Sequence, residues 1–369
     1  MKDKKKQLGQ YFTPANIVDK MILLIENKGS ILEPSSGDGA FYSKLPKERR
    51  LGVELDEEIA TEDVKVMDFF DWTEKVDTII GNPPYVRYKE ILDSTRKKLP
   101  KGFDERSNLY LFFIDRSIDL LNKGGEIIFI VPRDFIKTTS SLKLNKRLYN
   151  EGGFTYWEEY GDKMVFDDAS PNVAIFRWVK GATHKILTSF HNGYLVFPKE
   201  SDEDKTRVYL DTLFDIHVGG ASGANKIFLN EKGNIDLVVS TTKRTGKTKK
   251  AFYLTKPNDY LKKHKEKLLN RKIGVFDEGN WWEWGRKIRH IEGEKIYVNN
   301  KTRDLAPFYT HESGWFDGSV LALIPKTPNL NIEEMIEILN KTDWDSQGFK
   351  VGGRLIFGQR SLCSAYIYL

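Results

Sequence analysis

The chain has 369 residues, 40% of them hydrophobic and 30% charged, which is enough for two packed domains and excludes disorder on the scale of a domain. Its single cysteine, Cys363, excludes an intrachain disulfide and a cysteine-based zinc site, and no apolar run reaches the roughly 18 residues of a membrane span. Because no signal-type apolar segment follows the basic N-terminus, we expect a cytoplasmic protein.

The net charge of +5 is unevenly distributed. Residues 1–180 contain 29 Lys and Arg against 30 Asp and Glu, whereas the remainder contains 29 against 23. This basic excess in the second half indicates a polyanionic partner there, although a basic domain without such a partner would have the same composition.

Short apolar runs alternate with helical patterns over the first 180 residues. Helices are predicted at 17–25 and 109–121, and strands at 30–32, 51–54, 65–67, 76–80, 126–131 and 173–178. This alternation predicts a doubly wound, Rossmann-like α/β domain, in which ligands bind at the carboxyl ends of the strands.

From about residue 181 the pattern becomes less regular. Strands are predicted at 186–190, 195–197 and 235–240, a helix at 332–339, and an exposed loop at 243–250. We therefore predict a first domain over residues 1–183 and a C-terminal α+β domain over residues 184–369.

The run E-P-S-S-G-D-G at 33–39 lies between a predicted strand and a predicted helix. Gly37 and Gly39 allow a tight turn and a close approach to a ligand, although a purely structural turn would look the same. The third glycine of a dinucleotide-binding loop is absent, and the acids Glu33 and Asp38 would repel a pyrophosphate but could hold an ammonium or sulfonium group. The run therefore favours S-adenosylmethionine over NAD.

Two further acids follow strand ends. Glu54 closes the next strand and could accept both ribose hydroxyls of an adenosine. Asp68 could accept the adenine amine while Phe69 packs against the ring. Either acid alone could be surface charge, but their series at successive strand ends favours an adenosine site.

The segment Asn82-Pro83-Pro84-Tyr85 follows the strand at 76–80. A nitrogen whose lone pair is delocalised into a ring is a poor nucleophile, and two acceptors on its N–H bonds would draw it toward tetrahedral geometry. The Asn82 side chain and the Pro83 backbone carbonyl could be those acceptors, since two consecutive prolines fix the backbone angle φ. Tyr85 offers a flat face for a planar base.

Together with G-Q-Y-F-T-P at 9–14, these motifs resemble the gamma class of adenine-N6 DNA methyltransferases, the modification partners of Type II restriction enzymes. The resemblance covers roughly residues 7–180. It implies cofactor contacts from Tyr11 and Thr13, with Thr13 near the methionine moiety, and from Glu33 and Ser35 around the sulfonium and amino-acid end. It also implies Glu54 on the ribose, and Asp68 with Phe69 on the adenine; Gly37, Gly39 and Asn82 complete the predicted cofactor site.

The resemblance also implies that the target adenine is flipped out of the duplex, as chemistry on a stacked base requires. In this family an aromatic side chain covers the second face of that base. Phe166 is our candidate, with a buried core phenylalanine as the alternative. We expect direct in-line transfer of the methyl group, without a covalent enzyme intermediate and without a metal ion.

The second domain is expected to read the target sequence in double-stranded DNA. Its arginines and lysines could contact phosphates or guanine edges. The candidates, with one residue beside the catalytic motif, are Arg87, Lys243, Arg244, Lys247, Arg286, Arg289, Arg354 and Arg360. The tryptophans at 281–284 are expected in the core rather than stacked on bases, and the segment 243–250 could equally be a solvated loop.

The motif N-P-P-Y also suits a glutamine-N5 protein methyltransferase that modifies release factors, and an RNA adenine methyltransferase. Both are disfavoured because nearly 190 residues follow the catalytic region and only about 30 precede the cofactor motif. A catalytically silent DNA-binding subunit is disfavoured by the intact motifs. We expect a monomer whose functional partner is a separately encoded restriction endonuclease.

Overall fold

The computed structural model describes residues 9, 12–160, 172–186, 189–197 and 206–369. The chain forms two compact units, residues 1–203 with 346–353 and residues 204–345 with 354–369. The first unit thus extends beyond the predicted division after residue 183. The reason lies in a hairpin of β8 (Ser189–His191) and β9 (Tyr194–Val196), which buries Leu195 in the core of the first unit.

A seven-stranded sheet forms the centre of the first unit. Its strands are β1 Ile31–Glu33, β2 Arg50–Glu54, β3 Lys65–Val66, β4 Val76–Gly81, β5 Leu121–Pro132, β6 Gly152–Glu159 and β7 Val173–Lys180. Their order is β3-β2-β1-β4-β5-β7-β6; β1 to β5 are parallel, and β7 is antiparallel to both its neighbours. The order reverses between β1 and β4, which is where open α/β sheets bind ligands.

Both faces of this sheet are covered. The α-helices are α1 Ala15–Ile22, α2 Asp93–Arg96, α3 Leu109–Leu120 and α4 Leu142–Glu151, and the 3₁₀ helices are Tyr42–Lys44, Phe69–Asp71, Tyr88–Glu90, Arg133–Ile136 and Thr139–Ser141. In β5, Ile127, Phe129 and Val131 join the core on one face, and Ile128 and Ile130 join the core on the other. This is the predicted doubly wound arrangement.

Neither α4 nor β6 was predicted from the sequence. The strand pattern of β6 is obscured by Gly152 and Gly153 at its start. A Cβ atom at Gly152 would lie 2.3 Å from the carbonyl oxygen of Val179, and one at Gly153 would lie 2.4 Å from that of Thr183. These glycines serve close backbone approach, which no local pattern reveals.

The second unit contains several small sheets. Its strands are β10 Arg207–Tyr209, β11 Phe214–Val218, β12 Ile235–Val238, β13 Lys249–Ala251, β14 Ile296–Asn299, β15 Lys301–Thr302, β16 Phe308–Tyr309, β17 Trp315–Phe316, β18 Val320–Pro325, β20 Arg354–Ile356 and β21 Tyr366–Tyr368; β19 Lys350–Val351 belongs to the first unit. The larger sheets have the orders β11-β18-β14-β16 and β13-β12-β17.

The helices of the second unit are short except near its end. They are α5 Leu210–Leu213, α6 Asn225–Phe228, α7 Thr242–Thr245, α8 Asp259–Lys262, α9 Lys265–Leu269, α10 Ile332–Lys341 and α11 Gln359–Cys363. The predicted exposed loop at 243–250 is wrong in part: the segment forms α7, a left-handed turn at Gly246 with φ 67°, and the start of β13. In the part of the chain that the structure describes, no helix has the length and apolar character of a membrane span.

Candidate active site

Asn82 follows the last residue of β4 and is held by two neighbouring segments. Its side-chain nitrogen donates a hydrogen bond to Thr13 Oγ1 at 3.1 Å, and Ser35 Oγ donates to its backbone carbonyl at 3.3 Å. This hydrogen bond places the amide nitrogen toward Thr13, which sets the direction in which the amide oxygen of Asn82 points. This orientation is the one that activation of an amine requires.

The segment 82–85, which is the predicted catalytic segment, is closely packed. Pro83 is buried, and Tyr85 is half-buried with its hydroxyl donating to the Ile130 carbonyl at 3.0 Å. Gly9 has a φ of 64°, and a Cβ atom there would lie 2.9 Å from the Tyr85 nitrogen. Residue 9 of the first motif is therefore a glycine because the catalytic segment leaves no room for a side chain.

One pocket gathers most of the residues predicted from the strand ends. Its lining includes Ser35, Gly37, Glu54, Asp68, Phe69, Asn82 and Pro84. Glu54 is the last residue of β2, and the others follow β1, β3 and β4; the carboxyl ends of these strands share one edge of the sheet. Gly37 has a φ of 55°, which a side chain would strain at the point where the first turn borders the pocket.

The Glu54 carboxylate is fixed by two backbone donors. Its Oε2 accepts from the Gly37 nitrogen at 2.7 Å, and its Oε1 accepts from the Asp56 nitrogen at 2.9 Å. Burial raises the pKa of Glu54, and these backbone hydrogen bonds oppose the rise. The carboxylate is thus a rigid acceptor in the pocket and retains lone pairs for ligand hydroxyls.

Asp68 is held in a denser network. Its carboxylate accepts from the Phe70 nitrogen at 3.1 Å, from Thr95 Oγ1 at 2.7 Å and from Lys98 Nζ at 3.2 Å. The carboxylates of Asp71 and Asp68 raise the pKa of Lys98, so the lysine stays charged beside them. Thr95 and Lys98, from α2 and the residues just after it, were not predicted as site residues.

An apolar wall faces these acids. Phe69 is buried and stacks on Phe113, with ring centroids 4.7 Å apart and an interplanar angle of 26°. Met67, Phe70 and Ile91 also line the pocket. Phe113 comes from the middle of α3, where the sequence resembles any core helix.

Some predicted cofactor residues lie behind the pocket wall. Glu33 is fully buried, accepts a hydrogen bond from the Tyr42 backbone, and has an Oε2 atom without a hydrogen-bond partner among the described residues. Burial raises the pKa of Glu33 well above its ordinary value. Thr13 and Gly39 are also buried outside the lining, whereas Tyr11 and Phe166 fall outside the described residues. The roles of these five residues, like those of the residues that line the pocket, remain predictions.

The basic candidates lie in unlike surroundings. Lys243 pairs with Asp304, the Arg286 side chain donates to the Gly219 carbonyl at 2.8 Å, and Arg289 lies 3.3 Å from His217. Arg87 in the first unit and Arg244, Lys247, Arg286, Arg289 and Arg360 in the second are exposed, whereas Lys243 and Arg354 are half-buried. The sequence, which shows only that these residues are basic, could not predict which of them bond to other residues of the protein.

The tryptophan segment belongs to the core, as expected. Trp281 and Trp284 are buried, and the Trp284 ring nitrogen donates to the Phe252 carbonyl at 2.9 Å. Among the described residues, no group of three His, Cys, Asp or Glu side chains could hold a metal ion.

Comparison with known proteins finds similarity in the first half of the chain. Residues 21–166 match the family described as Eco57I restriction-modification methylase. The Type II methyltransferase M.HincII of Haemophilus influenzae is 37% identical over 192 residues, which cover 48% of this chain and 38% of that protein. The Type II methyltransferase M.TthHB8I of Thermus thermophilus is 30% identical over 200 residues, covering 48% and 46%.

These alignments span less than half the length of either relative. One solved structure, the Type IIL restriction-modification enzyme MmeI in complex with DNA, superposes with a TM-score of 0.61 at 11% identity, over 98% of this chain and 68% of that one. At that identity the likeness concerns the fold alone. The family match and this superposition confirm the predicted Rossmann-like methyltransferase fold and the restriction-modification resemblance.

Proposed function

Because residues 21–166 match the family described as Eco57I restriction-modification methylase, we propose that this chain transfers a methyl group from S-adenosylmethionine to an adenine N6 amine in double-stranded DNA. The adenine is flipped out of a specific sequence, and its methylation protects the DNA from a cognate restriction endonuclease.

The observation that carries the proposal is the orientation of Asn82. Thr13 holds the amide nitrogen, so the amide oxygen is directed to accept an N–H bond, at the end of the strand that borders the pocket. Asn82 Oδ1 and the Pro83 backbone carbonyl accept the two N–H bonds of the target amine. Tyr85 and Phe166 cover the faces of the base.

The pocket lining fits S-adenosylmethionine. Glu54 offers a fixed carboxylate for ribose hydroxyls, Asp68 offers an acceptor for the adenine amine, and Phe69 offers an apolar surface for the ring. When bound, this cofactor supplies a methyl group on a positively charged sulfur. The protein contributes position, exclusion of water and the two acceptors on the amine.

The second unit holds and reads the DNA in this proposal. Its basic excess and its exposed arginines and lysines suit phosphates and base edges. Arg87, beside the catalytic segment, contacts the DNA near the flipped base. The protein acts as a cytoplasmic monomer.

An acceptor at Asn82 could also bind the planar amine of a glutamine side chain or of an RNA base. One assay therefore compares the candidate substrates. The full chain is incubated with tritiated S-adenosylmethionine and, separately, unmethylated genomic DNA, ribosomal RNA or a release factor. Label in DNA, recovered as N6-methyladenine after nucleoside digestion, is expected. Label confined to RNA or protein, or recovered as N4-methylcytosine, would contradict the proposal.

The matched variants are Asn82→Ala and Asn150→Ala. Asn82→Ala is expected to reduce transfer by about 10² to 10³-fold or more while leaving cofactor binding nearly intact, since it removes an acceptor that acts on the amine. Asn150 is exposed on α4 outside the pocket lining, and its variant should retain full activity.

A further inference from the structure

A second pocket lies beside the catalytic segment. Its lining includes Arg87, Tyr88, Asn108, Tyr110 and Asp134. The segments before α3 and after Tyr85 join here, because the Leu109 nitrogen donates to the Val86 carbonyl at 2.8 Å. Val86 and Leu109 line the cofactor pocket, whereas their neighbours line the second pocket.

Tyr110 connects this pocket to Tyr85. The two rings meet edge to face, with centroids 5.8 Å apart and an interplanar angle of 76°. The hydroxyl of Tyr85 donates to the Ile130 carbonyl, which fixes one end of its ring. Tyr110 is buried in α3 and packs against the Tyr85 ring, so a shift of Tyr110 would change one of the contacts that hold this ring.

Asp134 fixes Tyr110 in turn. The Tyr110 hydroxyl donates to Asp134 Oδ1 at 3.4 Å, and burial raises the pKa of both groups. A buried hydroxyl without this acceptor would turn toward another partner, because an unpaired buried polar group is costly.

The 3₁₀ helix that carries Asp134 is clamped by its other residues. Arg133 pairs with Glu159 and donates to the Lys350 carbonyl at 2.8 Å, within the first unit. Phe135 is fully buried in the core of the sheet. With its neighbours held on both sides, Asp134 has little freedom to follow a shift of Tyr110.

We propose that Tyr110 and Asp134 are positioning residues for methyl transfer, which hold Tyr85 as a rigid stacking platform for the target base. Neither residue was assigned a role from the sequence or by the family match. The inference rests on the proposed function, since it gives Tyr85 a planar base to stack on. The Asp134 carboxylate acts through Tyr110 and takes no part in the bond that forms.

The test uses the full chain and conservative variants. Tyr110→Phe keeps the ring and removes the hydroxyl, and Asp134→Asn removes the charge with little change in shape. Each is expected to lower kcat for methylation of DNA by about 10-fold, while KM for S-adenosylmethionine stays within about twofold, because a small misplacement of a reacting group is costly. The double variant should lose no more than either single variant, because both act on one contact.

Two controls separate positioning from a structural effect. Tyr88→Phe removes a hydroxyl in the same pocket, where the ring packs on Phe112, and should leave kcat unchanged. Tyr85→Ala alone is expected to lower kcat. Adding Tyr110→Phe to this variant should lower kcat no further, because Tyr110 acts through the Tyr85 ring. Thermal unfolding of each variant is measured alongside.

The outcomes distinguish this inference from the proposed function. If the wild-type chain methylates no adenine in DNA, the proposed function fails. If the wild-type chain is active but Tyr110→Phe and Asp134→Asn keep full kcat, the positioning role is overturned. It is likewise overturned if their losses follow the melting temperature or persist undiminished in the Tyr85→Ala background.

Discussion

The proposed cofactor site of the first unit and the basic segments of the second unit were predicted from equally local signals, but their residues are arranged differently in the structure. Residues following four strands converge on one pocket, because parallel strands of one sheet end at the same edge. The basic residues of the second unit lie on separate short elements, and Lys243 and Arg286 already have partners within the unit. Local motifs therefore predicted a common site in the first unit, where the parallel sheet that brings them together was itself predictable, but not in the second unit.

The largest effect is expected on the free energy of unfolding, from a variant that tests whether the tryptophan segment lies in the hydrophobic core. Trp284→Ala should lower the free energy of unfolding by about 3–5 kcal/mol, since it removes a buried ring and leaves the Phe252 carbonyl without its donor. Denaturant unfolding of the chain measures this. Unchanged stability combined with weakened DNA binding would instead indicate base stacking, and the half-buried Trp282 provides the comparison variant, with a smaller expected loss.

The next effect concerns the acid at the end of β2. Glu54→Ala should weaken binding of S-adenosylmethionine by about 30 to 100-fold, roughly 2–3 kcal/mol, because the ribose acceptor is lost and the Gly37 and Asp56 nitrogens lose their acceptor. Titration calorimetry gives the Kd. Glu54→Gln keeps one acceptor oxygen and should weaken binding less; equal Kd values for wild type and Glu54→Ala would remove this residue from the site.

Wild-type affinity should also depend on pH through the same carboxylate. The pKa of Glu54 is raised by burial, so its ionised form is lost at a higher pH than that of an ordinary glutamate. Cofactor affinity should therefore fall on the acid side as the pH drops through the raised pKa. Glu54→Gln should lack that dependence.

A smaller effect is expected on DNA binding, and it should differ between basic residues that are exposed and those that bond within the unit. The double variant Arg244→Ala with Lys247→Ala should weaken DNA binding by about 10-fold and reduce the slope of log K against log salt by about two, because two exposed cations are removed. Its melting temperature should stay unchanged. Arg286→Ala should instead lower the melting temperature, because its hydrogen bond to the Gly219 carbonyl is lost, and should leave the salt slope unchanged. An unaltered salt slope in the double variant would locate the phosphate contacts elsewhere.

The smallest effect concerns the buried acid Glu33. Burial raises its pKa in the folded state, so the folded chain binds more protons than the unfolded chain, and stability falls as the pH rises between the unfolded and folded values. Glu33→Gln should thus raise the melting temperature at neutral pH, by about 2–4 °C for 1 kcal/mol. If the variant also loses the cofactor, Glu33 is a ligand as the resemblance implies; retained binding would assign it to the core.

Much of the first unit could be predicted because its signals are local. The strand ends at Glu33, Glu54 and Gly81 lie within a residue of their predicted positions, and the turn glycines Gly37 and Gly39 come within six residues of the first of them. In the second unit the strand at β12 and the helix at α10 were predicted, but the many strands of two or three residues were not. Such strands are stabilised by their partners rather than by their own sequence pattern.

The sequence by itself determined which residues stand at the strand ends and so which chemistry is predicted for the site, because these residue types and the fixed backbone of Pro83 and Pro84 need no distant partner to be recognised. Only the tertiary structure decided that Thr13 orients Asn82, and that Glu33 is buried behind the pocket wall. It also brought Tyr110 and Asp134 beside Tyr85. These arrangements depend on contacts between residues far apart in the chain, and no local pattern encodes such contacts.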